Sequence, residues 1–195
     1  MVRKYTDKQL LDMVKALTSF KSIPDSLWIV GVRSNEDLPD IYDDKFYLYR
    51  GEEFIMMTSG TTNPALSILK GGYKSYNPLG AAIVKADEWY YGLWRYGKHK
   101  KKMNALVQIG APIKIFRDGD GDAKSEEQGK VVAGYFGINF HANTYDMETT
   151  TIREKIGGWS AGCQVVNDTQ KYVTMMHYFS QQSGKGVSYC LLNEF

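Results

Sequence analysis

The chain is poor in the residues that most often carry chemistry: it holds 2 cysteines and 3 histidines among 195 residues. Two cysteines exclude a disulfide-rich scaffold. No close Cys/His pair has metal-ligand spacing, so neither zinc nor any other cofactor is expected. No apolar run approaches the roughly 20 residues that span a bilayer, which argues against membrane insertion. Charge excess is small too. Lys+Arg number 24 against 22 Asp+Glu, a net of +2, without the basic surplus of a dedicated nucleic-acid binder. The opening stretch lacks the apolar core and small-residue cleavage site of a secretory signal, so cytoplasmic synthesis is expected. There is no internal repeat and no low-complexity linker.

Apolar residues are 43% and charged residues 24%, which excludes wholesale disorder. The length suits one domain, or one with a small appendage. Aromatics reach 13%, with 14 Tyr, and lean toward β structure and a polar groove.

Thr6-Asp7-Lys8-Gln9 fits a capping box, and Leu10, Met13, Val14 and Leu17 follow at helical spacing. Ile23-Pro24-Asp25 should end this first helix. Residues 1–25 thus read as a helical segment docked on a body of residues 26–195. In that body, short β-like runs alternate with turn clusters: Leu27–Val32, Lys45–Tyr49, Glu53–Thr58, Ala81–Lys85, Glu88–Arg95, Ala105–Ile109, Ile113–Arg117, Val131–Phe140, Gly162–Val166 and Val187–Leu192. Many short strands imply a sandwich or barrel. A second helix is expected near Asp168–Gln181, with Tyr172, Val173, Met176 and Phe179 facing inward and Gly184 stopping it. The fold class is α+β, mainly β.

The strongest chemical candidate is Gly157-Gly158-Trp159-Ser160-Ala161-Gly162-Cys163-Gln164. Glycines before a cysteine allow a sharp turn and close approach of a carbonyl. They also leave N–H groups, such as those of Gly162 and Cys163, to aim at an oxyanion. Upstream, His141 closes an apolar strand in Gly137-Ile138-Asn139-Phe140-His141-Ala142-Asn143. In an antiparallel layout it could face Cys163 as a base. The plain alternatives are a buried free cysteine and a solvated strand-end histidine.

Together the two pieces resemble the L,D-transpeptidase catalytic-domain superfamily (YkuD type). His141-Ala142 and Ser160-Ala161-Gly162-Cys163 match its two elements, with the His and Cys 22 positions apart. The Gly-Ile-Asn-Phe-His strand, Trp-Ser-Ala-Gly-Cys-Gln-Val, Gly97–Lys100 and Ala105–Gln108 are similar to compact phage and bacterial members. The resemblance spans residues 28–180. It implies an L,D-transpeptidase-like β-sandwich and a thiol-dependent enzyme acting on peptidoglycan stem peptides. Cys163 would be the nucleophile, His141 the base and Ala142 the supplier of an orienting carbonyl, with Gly162 and Ser160 in the catalytic turn. His99, Trp159, Asn139 and Tyr96 would contact substrate. Ala161 stands where the family commonly has a second histidine; His99 is the nearest substitute. Without a secretion signal, a hydrolase that reaches the wall after release, as a phage-type lysin does, is favoured. A cross-linking transpeptidase and a non-catalytic wall-binding module are the alternatives. No obligate protein partner is inferred.

Other features have plainer readings. The basic run Arg95–Lys102 is a solvated turn, a substrate wall or a phosphate patch. Asp118-Gly119-Asp120-Gly121-Asp122 resembles the start of a calcium loop, yet Ala123 and Gly129 break the pattern. Cys190 reads as an apolar core residue.

Overall fold

The computed structural model describes residues 4–36 and 38–195. Helix α1 spans Asp7–Ala16. Its cap forms as the residue pattern requires: the Gln9 N–H donates to Thr6 Oγ1 at 3.3 Å, and the Thr6 N–H donates to Gln9 Oε1 at 2.9 Å. The helix ends well before Pro24. Leu17 is already extended, and Ser19 Oγ accepts the Trp89 N–H at 2.9 Å, which ties the chain to the body instead of continuing the helix.

Eleven strands follow among the described residues: β1 Leu27–Arg33, β2 Asp44–Arg50, β3 Glu53–Thr61, β4 Ala81–Val84, β5 Glu88–His99, β6 Met103–Gln108, β7 Ile113–Asp118, β8 Val132–Gly134, β9 Phe140–Ala142, β10 Gln164–Val166 and β11 Val187–Asn193. A four-residue helix α2 (Leu66–Leu69) and helix α3 (Thr169–Ser180) complete the elements, with one 3-10 turn at Gly72–Ser75. The apolar run at 131–140 is not one strand. It breaks between β8 and β9, which belong to different sheets.

Eight strands close a barrel in the order β1-β11-β5-β6-β9-β10-β3-β2. The expected sandwich is therefore corrected to a barrel. The short β9 and β10 fill the gap between β6 and β3, while β11 slots between β1 and β5, and the ring closes. Two neighbours run parallel, β1 with β11 and β9 with β10. A separate sheet, β4-β7-β8, lies against the barrel. Its Ala82, Val84, Ile113 and Ile115 join one core cluster with Trp94, Phe140 and Tyr189 of the barrel. Helix α3 adds Tyr172, Met175, Met176 and Phe179 to that cluster. Val173, expected inward, is exposed, and Met175 takes its place. Burying each large apolar side chain here contributes about 1.5–3 kcal/mol.

Leu10 and Val14 of α1 pack on the outside of the barrel, in a cluster with Trp28, Trp89 and Tyr49. Trp28 stacks on Tyr49 at 5.1 Å, and Trp89 Nε1 donates to Val14 O at 2.7 Å. The amino-terminal segment thus shares its core with the strands. No helix among the described residues is long and apolar enough to cross a membrane.

Candidate active site

The site lies where β9 and β10 meet. Their register pairs Gln164 with Phe140 and Val165 with His141. This is a parallel pair, not the antiparallel one expected. The Gln164 N–H donates to Asn139 O at 2.9 Å and carries the ladder one step further. Side chains alternate across a strand. Phe140, Ala142 and Val166 enter the barrel core. Val165 points the other way, into a second cluster that Cys163, Ala161 and Trp159 cover. Cys163 and His141 therefore share the outer face of adjacent strands, two residues out of register. With ~4.8 Å between strands and ~3.3 Å per residue, their Cα atoms lie about 8 Å apart. Both line one cleft of about 400 Å³, whose wall also includes His99, Trp159 and Ala161.

Each imidazole is held in a defined tautomer. His141 Nδ1 lies 2.8 Å from Ala142 O. A carbonyl only accepts, so Nδ1 carries the proton and Nε2 keeps a lone pair. His99 is the mirror case. The Gln108 N–H donates to Asn139 Oδ1 at 2.9 Å, which fixes the amide, and Asn139 Nδ2 then donates to His99 Nδ1 at 3.0 Å. His99 Nε2 is thereby the N–H donor. The two rings stack with centroids 4.1 Å apart. The site thus offers one imidazole lone pair and one imidazole N–H.

Burial favours the uncharged form of both His141 and Cys163. Burial, reinforced by His99, pushes the His141 pKa down to about 3. Burial also lowers that of His99, with Lys100 adding to the effect. Burial pushes the half-buried Cys163 thiol up, against a smaller downward pull from the Asn139 backbone amide and Lys100. The thiol donates to Gly137 O at 3.5 Å.

The turn before Cys163 is locked by its own side chains. Ser160 Oγ donates to Cys163 O at 2.9 Å and accepts the Gly162 N–H at 3.2 Å. The Gly162 N–H is thus engaged within the turn, not free for an oxyanion as the glycines suggested. Gly162 itself sits at φ +128°, and a Cβ there would lie 2.5 Å from Ala82 O. Both the conformation and the contact demand glycine. Gly162→Ala is expected to cost about 3 kcal/mol, read as a lowered urea midpoint with unchanged m-value.

The chain matches no family model, no curated protein and no solved structure.

Of the residues singled out by sequence, the structure brings Cys163, His141, His99, Trp159 and Ala161 together. Ser160 and Ala142 serve as the clamp and the carbonyl described above. Asn139 does not line the cleft; it positions His99. Tyr96 is a correction. It lies three residues from His99 on β5, so it faces the opposite side and lines a separate groove with Tyr172 and Met176. Cys190 is fully buried between Val30 and Trp89, in a cluster distinct from that of Cys163. Both cysteines are free. The loop after β7 gathers Asp120, Asp122 and Glu126 within 4.8 Å of one another, and none of them lines the cleft.

Two contributors escaped sequence reading. Gln108 is buried; its Oε1 accepts the Phe136 and Ile138 N–H groups at 3.0 and 2.9 Å, and its Nε2 donates to Gly134 O at 2.9 Å. It shapes the 134–138 wall of the cleft. Arg117, at the end of an apolar strand, also lines the cleft. An arginine closing Ile113–Phe116 was the only signal available.

Proposed function

We propose that this protein is a cysteine-dependent hydrolase of peptidoglycan stem peptides, in keeping with its resemblance to the L,D-transpeptidase superfamily. The observation that carries the reading is the His141 tautomer: Ala142 O holds Nδ1–H, so Nε2 is a free base in the same cleft as the Cys163 thiol. The family's commoner second histidine is absent at Ala161, and His99 supplies another imidazole from β5.

In the proposed cycle, the thiol leaves Gly137 O and turns toward His141. Nε2 takes the S–H proton as sulfur bonds to the substrate carbonyl carbon. His99 Nε2–H and the Cys163 N–H are the donors offered to the oxyanion; one such donor is typically worth about 3–4 kcal/mol. The C–N bond then breaks, and the imidazolium returns its proton to the leaving amine. A thioester remains. Water attacks it with His141 again as base, releasing a carboxylate and the free thiol. An amine acceptor in place of water would give transpeptidation.

The test is incubation of purified muropeptides of several wall chemotypes with the protein, followed by mass spectrometry. The expected result is cleavage of a stem-peptide bond with gain of one water. Unchanged muropeptides across all chemotypes overturn the proposal.

A further inference from the structure

The walls of the cleft carry charge of one sign. Lys100 and Arg117 line it, and no Asp or Glu among the described residues does, in a chain with 22 acidic residues. The two cations come from different sheets, Lys100 from the turn after β5 and Arg117 from β7.

Arg117 is held by a carbonyl and a ring. Its Nη1 donates to Gly80 O at 3.2 Å, and its guanidinium lies over the Phe136 ring at 5.1 Å. Among the described residues no carboxylate pairs with it, and a carbonyl and an aromatic face engage few of its five N–H donors. The group is half-buried, so it is oriented by its surroundings rather than sweeping through solvent.

Lys100 carries a second signal. The Lys102 N–H donates to His99 O at 2.9 Å, closing a tight turn. Within it Lys100 and Lys101 sit at φ +49° and +60°. Such a turn suits Asn-Gly, not two lysines. A disfavoured conformation at the mouth of a cleft points to a residue kept for something other than the turn.

We propose that Lys100 and Arg117 form an anion subsite, and that the cleft selects a peptide bearing a free carboxylate beside the bond presented to Cys163. This deepens the peptidase reading and rests on it for the identity of the bond. The carboxylate is either the peptide's own C-terminus or an acidic side chain. Arg117 would meet it with paired N–H donors, and Lys100 with a mobile point charge.

The experiment uses the full chain carrying Cys163→Ala and an N-acetylated tetrapeptide with two carboxylates, one terminal and one on a side chain. Two further peptides have one or the other converted to the amide. Affinities are measured by calorimetry at low and moderate salt. Amidation of the docking carboxylate is expected to raise Kd at least tenfold, and which amide does so identifies its source. Arg117→Gln should abolish that discrimination. Lys100→Asn combined with Lys101→Gly should weaken it while raising the melting temperature, because the new pair suits the turn. Equal affinity for all three peptides, or no binding of any, overturns the subsite. Failure of the peptidase reading shows separately, as wild-type protein that binds the carboxylate form selectively and leaves muropeptides intact.

Discussion

Cys163→Ala is expected to lower muropeptide turnover by on the order of 10⁴-fold or more, the scale of removing a covalent nucleophile. The fold should barely notice. The thiol donates one long hydrogen bond, to Gly137 O, so the cost to stability should stay within about 1 kcal/mol. Intact-protein mass spectrometry gives an independent readout. Wild type quenched during turnover should carry a substrate-derived adduct, and the variant none. Cys190, with no exposure to solvent, offers no substitute sulfur. Because burial raises the Cys163 thiol, alkylation by iodoacetamide should be slow at pH 7 and accelerate as pH rises beyond the ordinary thiol range. Retained turnover in Cys163→Ala would remove this residue from the chemistry.

His141→Asn should lower turnover on the order of 10³-fold, within the range general-base catalysis supplies plus the loss of an aligned partner. Asparagine is the informative replacement. Its amide nitrogen can still donate to Ala142 O, but it presents no basic nitrogen to the cleft. The same variant reports on stability. The folded pKa of about 3 lies below the ordinary 6.5, so the unfolded chain binds the proton more readily. Stability from this group is therefore fully present above pH 6.5 and is lost as pH falls toward 3, by up to about 5 kcal/mol. Asp44 works against it. Burial raises its carboxyl to about 6 from 3.8, and a raised acid favours the fold below pH 3.8 and loses that favour as pH climbs through 6. Wild-type stability thus mixes these slopes with those of His99, whose pKa burial also lowers, and Asp118, whose carboxyl burial raises, and the difference between wild type and His141→Asn reports the His141 imidazole together with its coupling to His99. Thermal melts from pH 7 to pH 4 should show the wild type losing its advantage and the variant losing less. Parallel curves would contradict a buried, neutral His141.

The strands were legible because their signal is local. Leu27, Glu53, Ala81, Glu88, Ile113 and Val187 all begin strands at the expected residue. Barrel closure was not legible, since it depends on which strands meet. Nothing in Phe140–Ala142 or Gln164–Val166 announces a parallel pair, and three residues are too few to show a pattern. Tyr96 was misplaced for a related reason: proximity in sequence to His99 says nothing until the strand's alternation is applied. The two ends of the site, Cys163 and His141, could be named because glycines and scarce histidines stand out. Gln108 could not, because a glutamine that organises a loop looks like any other until its partners Phe136, Ile138 and Gly134 are known.

The parallel register of β9 and β10 has a consequence for how such a protein could change. Parallel neighbours need a long return path, and here it runs from residue 144 to the turn before Cys163, after the Asn143 N–H has donated to Val166 O at 3.1 Å. That excursion carries Trp159, packed edge-on against Tyr145 at 5.1 Å, and so forms part of the cleft's lip. Its stretch ahead of the Ser160 clamp can lengthen or shorten while that clamp and two short rungs of backbone hold the separation of sulfur and imidazole. The lip of the cleft and the spacing of sulfur and imidazole thus belong to different stretches of chain, free to drift at different rates.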